Sequence, residues 1–172
     1  MTGLTRDVTP SSLHVVLVEP EIHWNTGNAG RTCLATGAQL HLVGPLGFSL
    51  DERQVRRAGL DYWARVAPRM WGDWQSFETA LADLGEAYFF SADAERTYWD
   101  ETYSTRRPVV LVFGKESTGL APALRDRFRN RLLAVPILDR SSGEDAAGVR
   151  SLNLSTTVAL AAYEVLRQRH CR

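Results

Sequence analysis

The chain has 172 residues, 44% of them hydrophobic and 23% charged, and its 20 Lys+Arg balance 20 Asp+Glu. Those proportions exclude a disordered or low-complexity chain, and the length suits one domain with a real core. Zero net charge excludes a protein that coats nucleic acid by bulk positive potential.

Residues 1–12 (MTGLTRDVTPSS) lack the apolar run of a secretory signal and read as a flexible leader. Residues 13–172 then read as a single domain. Short apolar runs predict strands at 13–18, 40–43, 87–91, 109–113 and 132–137. Most are apolar at nearly every position, the pattern of strands covered on both faces. Helical patterns fall at 26–37, 51–58, 73–84 and 121–128, with a weaker strand or loop near 64–70. The last helix, 151–169, carries a stripe of Leu154, Val158, Ala161 and Val165. Strands alternating with helices predict an α/β fold, a mostly parallel sheet flanked by helices. The polar stretch 138–150, with Gly143 and Gly148, is long for a strand-to-helix connection.

The basic residues are lopsided: Lys115 is the one lysine and the rest are arginine. A guanidinium fork suits phosphate and carboxylate, although a GC-rich genome produces the same bias. Two cysteines, Cys33 and Cys171, make no disulfide framework, and four scattered histidines make no metal site. These point to a reducing, cytoplasmic setting with no metal, and no apolar stretch reaches the length of a membrane span.

Four polar stretches interrupt the pattern. Asn25–Cys33 follows the first strand and places Asn25, Asn28 and Arg31 three apart, with Asn25 and Thr26 as candidate helix caps. The end of a strand is where α/β proteins usually bind ligands, but a capped helix with a surface arginine explains the same residues. Phe113–Leu120 (FGKESTGL) follows the most apolar strand; its two glycines fit a close ligand or a plain turn. Arg150–Ser155 opens the last helix, where Ser151 is a candidate cap and Asn153 or Ser155 could face the same crevice. Arg56–Trp63 (RRAGLDYW) pairs arginines with aromatics, fit for phosphate contact and base stacking, or for a helix end whose Tyr62 and Trp63 pack on the core. Arg125, Arg127, Arg129 and Arg131 read as a solvated face.

In this order, N-T-G-N-x-x-R, F-G-x-E-x-x-G-L and S-x-N-L-S resemble the three motifs of the SPOUT methyltransferases, which methylate RNA from S-adenosylmethionine. The opening from Val18 to Asn28 and the segment R-R-A-G-L-D-Y-W are similar to the small TrmL branch, the tRNA 2'-O-methyltransferases of the wobble nucleotide. The resemblance runs from about Leu13 to Arg169.

It implies a deep C-terminal trefoil knot, which general folding rules would not predict, and a homodimer with the first and last helices at its interface. It implies tRNA as partner, S-adenosylmethionine as donor and S-adenosylhomocysteine as product. The donor-binding positions would be Phe90, Ser91, Gly114, Val135, Ile137, Ser151 and Leu152; a side chain at Gly114 would crowd the ligand, and the apolar residues at 135 and 137 would wall an adenine. Arg31 matches the arginine at the reacting ribose, with Asn25, Glu116 and Asn153 as further polar positions of that site. Arg53, Arg56 and Arg57, with Arg106 and Arg107 beside them, are the candidate RNA contacts. The long 138–150 stretch and Lys115, in place of a frequent proline, depart from the branch pattern. The motifs report ribose 2'-O chemistry better than its target, so another tRNA or rRNA site, or a knotted RNA-binding protein without turnover, stands as the alternative.

Overall fold

The computed structural model describes residues 13–49, 62–137 and 149–170. The leader 1–12, the helix expected at 51–58 with Arg53, Arg56 and Arg57, most of the 138–150 connection and Cys171 lie outside the described residues.

Among the described residues six parallel strands form one sheet in the order β3-β2-β1-β5-β4-β6. They are β1 (Leu13–Val18), β2 (Gln39–Val43), β3 (Arg69–Trp71), β4 (Glu86–Phe90), β5 (Val109–Phe113) and β6 (Leu132–Leu133). The helices are α1 (His23–Thr36), α2 (Trp63–Val66), α3 (Trp74–Leu84), α4 (Pro122–Arg127) and α5 (Leu154–His170). β1 and β5 lie at the centre, and every residue of LHVVLV and VVLVF is buried. Alternate positions serve opposite layers. Leu13, Val15 and Leu17 meet α1 and α5 on one face, while Val16 and Val18 meet Phe77 and Leu81 of α3 on the other.

Several expected boundaries move. The 64–70 stretch splits into the single turn α2 and the edge strand β3. The strand expected at 132–137 ends at Leu133, because Ala134 bridges to Thr97 of the β4–β5 connection and Pro136 has no N–H to offer a ladder. α1 begins at His23 rather than residue 26, and α5 at Leu154 rather than 151. α3 starts one residue late because Asp73 caps it: the Asp73 carboxylate accepts from Ser76 N–H at 2.8 Å. The stripe on α5 is buried as expected, and its last turn is tied down by Gln168, whose amide accepts from Tyr103 N–H at 3.1 Å and donates to Glu101 O at 2.8 Å.

The α3 side of the sheet also buries a histidine pair. Trp71 Nε1–H donates to His41 Nδ1 at 3.1 Å, so the His41 proton must lie on Nε2, which is 3.0 Å from His14 Nδ1. Burial, then the neighbouring His14 and Arg69 charges, push His41 down to about 3 from 6.5. A base held neutral in the fold contributes stability that is whole above its unfolded pKa and drains away as the pH falls toward the folded one. We expect urea unfolding to report about 2 kcal/mol less stability at pH 5 than at pH 7 from this group. The His41→Gln variant should lose that part of the pH dependence; an unchanged slope would refute the assignment.

Candidate active site

Parallel register aligns the strand ends. Leu17 pairs with Phe113, Phe113 with Phe90, and Phe90 with Leu133, so the residues after β1, β5, β4 and β6 emerge together at the C-terminal edge. In an open parallel sheet that edge is where ligands bind.

The loop after β5 folds back on itself. Gly119 N–H donates to Lys115 O at 2.9 Å, with Gly119 at φ +70°. A Cβ on Gly114 would stand 2.1 Å from the Gly119 carbonyl carbon and 2.2 Å from Leu120 N. The glycine is therefore required by the return of its own loop, a different reason from the crowding of a ligand. Around Gly119 the space is open, with no atom within 4 Å of a built Cβ. Lys115 Nζ lies 2.8 Å from the Glu19 carboxylate, joining this loop to the end of β1.

The three sequence motifs meet here in one hydrogen-bond relay. The Glu116 carboxylate accepts from Glu21 N–H at 2.8 Å, from Ile22 N–H at 3.3 Å and from Asn25 Nδ2 at 2.9 Å. Asn25 Oδ1 accepts from Asn153 Nδ2 at 2.8 Å. Asn153 Oδ1 accepts from Ser155 N–H at 2.9 Å and Thr156 N–H at 3.4 Å. The capping expectations are corrected. Asn25 and Thr26 lie inside α1, whose N-cap Ile22 has no side-chain cap; the acceptor arrives from Glu116. Asn153, not Ser151, caps α5. Glu21 makes the reciprocal contact: its carboxylate accepts from Ser117 Oγ and Ser117 N–H, both at 2.9 Å, and these bonds hold it below the usual carboxylate range.

The polarity of this relay is determined. Backbone N–H groups can only donate, so Asn153 must present oxygen to Ser155 and its amide NH2 to Asn25. Asn25 must then present its own NH2 to residue 116, where the main chain of Glu21 also donates. Only a carboxylate accepts from both sides.

Arg31 lies two turns along α1 from His23 and is exposed; Asn25 is buried and Asn28 exposed. The Arg31 guanidinium carbon sits 4.7 Å from the centroid of the Tyr62 ring. Tyr62 Oη–H donates to Gly27 O at 3.0 Å, and a Cβ on Gly30 would meet Trp63 at 2.9 Å. Of the two readings of the Arg56–Trp63 stretch, core packing holds for these aromatics: both are half-buried against α1.

The donor-binding candidates fall along the same edge. The Phe90 ring is buried in a stack with Phe113, centroids 4.5 Å apart, so it offers an apolar floor. Ser91 N–H donates to Leu133 O at 3.0 Å. Val135 and Ile137 are half-buried beyond β6, and exposed Ser151 and half-buried Leu152 lead into Asn153. Half-buried apolar walls, an open-sided glycine loop and a serine suit a ligand with an adenine and a polar tail. Arg106 and Arg107 precede β5 and therefore sit at the opposite edge, away from this cluster. Arg125, Arg127 and Arg131 form surface ion pairs with Asp93, Glu78 and Glu86, as a solvated face requires. Among the described residues there is no group of three metal-ligating side chains, and no helix long and apolar enough to cross a membrane. Sequence reasoning missed Glu21, Ser117 and the Arg31–Tyr62 contact; only the opening from Val18 to Asn28 included the first.

Comparison with known proteins follows the same lines. The sequence pattern described as the SpoU rRNA Methylase family matches residues 12–163. A protein of Burkholderia pseudomallei (strain 1106a) named tRNA (cytidine(34)-2'-O)-methyltransferase is 45% identical over 160 residues, 90% of this chain and 94% of that one. A solved structure described as giving structural insights into the 2-OH methylation of C/U34 on tRNA superimposes with a TM-score of 0.81 at 39% identity, covering 95% of this chain and 99% of the other. The AdoMet-bound rRNA methyltransferase of Sinorhizobium meliloti shares the fold, with a TM-score of 0.68 at 24% identity over 91% of this chain and 56% of its own.

Proposed function

This chain belongs to the SpoU rRNA methylase family, and from that premise we propose that it transfers a methyl group from S-adenosylmethionine to the ribose 2'-oxygen of the wobble cytidine or uridine of tRNA. The observation that carries the proposal is the Glu116–Asn25–Asn153 relay, which gathers three distant motifs at the start of α1, the helix that carries Arg31. Relatives of similar length, named for this reaction, support the target.

Phe90, Ser91, Gly114, Val135, Ile137, Ser151 and Leu152 would hold the donor. When bound, S-adenosylmethionine would supply a methyl activated by its sulfonium and would leave as S-adenosylhomocysteine, the 2'-hydroxyl proton passing to a base or phosphate oxygen nearby. The protein's work is then alignment, for which good cases give about 7–11 kcal/mol. Arg31, with its fork of N–H donors, would bind the ribose or its phosphate and stabilise the negative charge that grows on oxygen. Asn25, Glu116 and Asn153 hold the helix that carries it.

In this reading residues 13–172 act as one domain, knotted at the C-terminal end, working in the cytoplasm as a homodimer. Exposed Trp24 on α1 and Leu160 and Tyr163 on α5 are apolar surface that a second copy would cover. Arg53, Arg56 and Arg57 would meet the tRNA backbone. Reversing Arg56 and Arg57 to Glu should weaken tRNA binding about tenfold or more with donor affinity unchanged in titration calorimetry; equal loss of both would refute an RNA role. The deciding experiment is methyl transfer from labelled S-adenosylmethionine to total tRNA, with mapping of the nucleoside. A 2'-O-methylated wobble nucleotide supports the proposal, and no incorporation into tRNA sinks it.

A further inference from the structure

We propose that Tyr62 is a positioning residue for Arg31, a ring clamp that fixes the guanidinium while leaving its N–H donors available to substrate. This rests on the enzymatic reading above. Gly27 and Arg31 are i and i+4 on α1 and share a face. Tyr62 touches both: its hydroxyl donates to Gly27 O at 3.0 Å, and its ring lies 4.7 Å from the Arg31 guanidinium carbon. The hydroxyl bond adds to the packing that seats the ring on α1, and the ring sets where the arginine points. Trp63, packed on Gly30, seats the same turn on the helix.

The choice of an aromatic has a chemical reason. A carboxylate would hold an arginine through its N–H groups, the same groups that must grip a phosphate or ribose oxygen. A ring face holds the cation by attraction to its quadrupole and occupies no donor. Among the described residues three arginines lie over an aromatic ring, and of these Arg127 and Arg131 are also paired with Glu78 and Glu86, whereas Arg31 has no ion pair and no side-chain hydrogen bond. Arg31 is thus ordered yet unspent, as a group that binds substrate must be.

The test uses the full chain with Tyr62→Phe and Tyr62→Leu. The Arg31 side-chain resonances, assigned by their absence in Arg31→Lys, should carry a ring-current shift in the wild type and in Tyr62→Phe, and lose it in Tyr62→Leu. The leucine variant should lose about tenfold in kcat, the range of a cation–π contact, with S-adenosylmethionine affinity unchanged by calorimetry. The phenylalanine variant should stay within about threefold, since it keeps the ring. Adding Tyr62→Leu to Arg31→Ala should cost nothing more. The clamp is overturned by a missing ring-current shift, by a leucine variant as active as the wild type, or by a phenylalanine variant as poor as the leucine one. A wild-type chain that methylates no tRNA would instead refute the enzymatic reading, and the resonance comparison would still judge the contact.

Discussion

Arg31→Ala is expected to lower kcat for tRNA methylation by about a thousandfold, the upper range for removing one donor aimed at developing negative charge. That is about 4 kcal/mol of transition-state stabilisation. The residue is exposed and, among the described residues, makes no ion pair or hydrogen bond, only the ring contact with Tyr62, so its loss leaves no buried polar group orphaned. The melting temperature and the affinity for S-adenosylmethionine should therefore not move, and a calorimetric titration beside the rate assay separates the two effects. Arg31→Lys keeps the charge but loses the planar fork, and we expect it to retain only part of the rate, about a hundredfold below wild type. Full activity in the lysine variant would show that charge alone suffices and that bidentate contact is not used.

Glu116→Gln is expected to fail although the two side chains have the same shape. Its amide would turn one N–H group toward donors that cannot reverse, because the relay is anchored at its far end by the main chain of Ser155 and Thr156. A donor facing a donor costs about 2 kcal/mol, which for a chain of this size lowers Tm by about 4–8 °C. The start of α1 would shift with it, and displacement of a catalytic group by about 1 Å can cost a hundredfold in rate. The relay also predicts its own cure. Adding Asn25→Asp restores an acceptor on each side: the amide introduced at position 116 would accept from Glu21 N–H and donate to the new carboxylate at position 25, which would still accept from Asn153. The double variant should recover at least half of the lost stability. If the two substitutions simply add, the derived polarity is wrong.

Both predictions depend on residues whose importance and whose partners were legible to different degrees. Glu116 came with the family resemblance, and Arg31, Asn25 and Asn153 stood out in the sequence because polar groups interrupt the apolar pattern there. Their partners did not. Asn25 looked like the cap of its own helix and proved to be an interior residue that bridges two others; Ser151 looked like the cap of α5, and Asn153 is. Gly114 was marked as a position where a side chain would crowd a ligand; the atoms that leave no room there belong to Gly119 and Leu120, five and six residues on. Tyr62 was weighed as core or as stacking surface and is packed on α1 with its ring against the arginine.

The sequence by itself determined the strands β1, β4 and β5 to within a residue, the parallel character of the sheet and the buried stripe of α5, because apolar periodicity is local and burial on both faces leaves unbroken runs. It also carried the family, because three motifs in order are written along the chain. Tertiary structure alone decided the strand order, the brevity of β6, the cap that Glu116 lends to α1 and the ring that holds Arg31. These depend on contacts between segments distant in the chain, 35 residues apart for Tyr62 and Gly27, 91 for Asn25 and Glu116 and 128 for Asn25 and Asn153. A residue's propensity reports what its neighbours in the chain allow; the group that accepts its hydrogen bond is chosen by how the sheet brings the strand ends together.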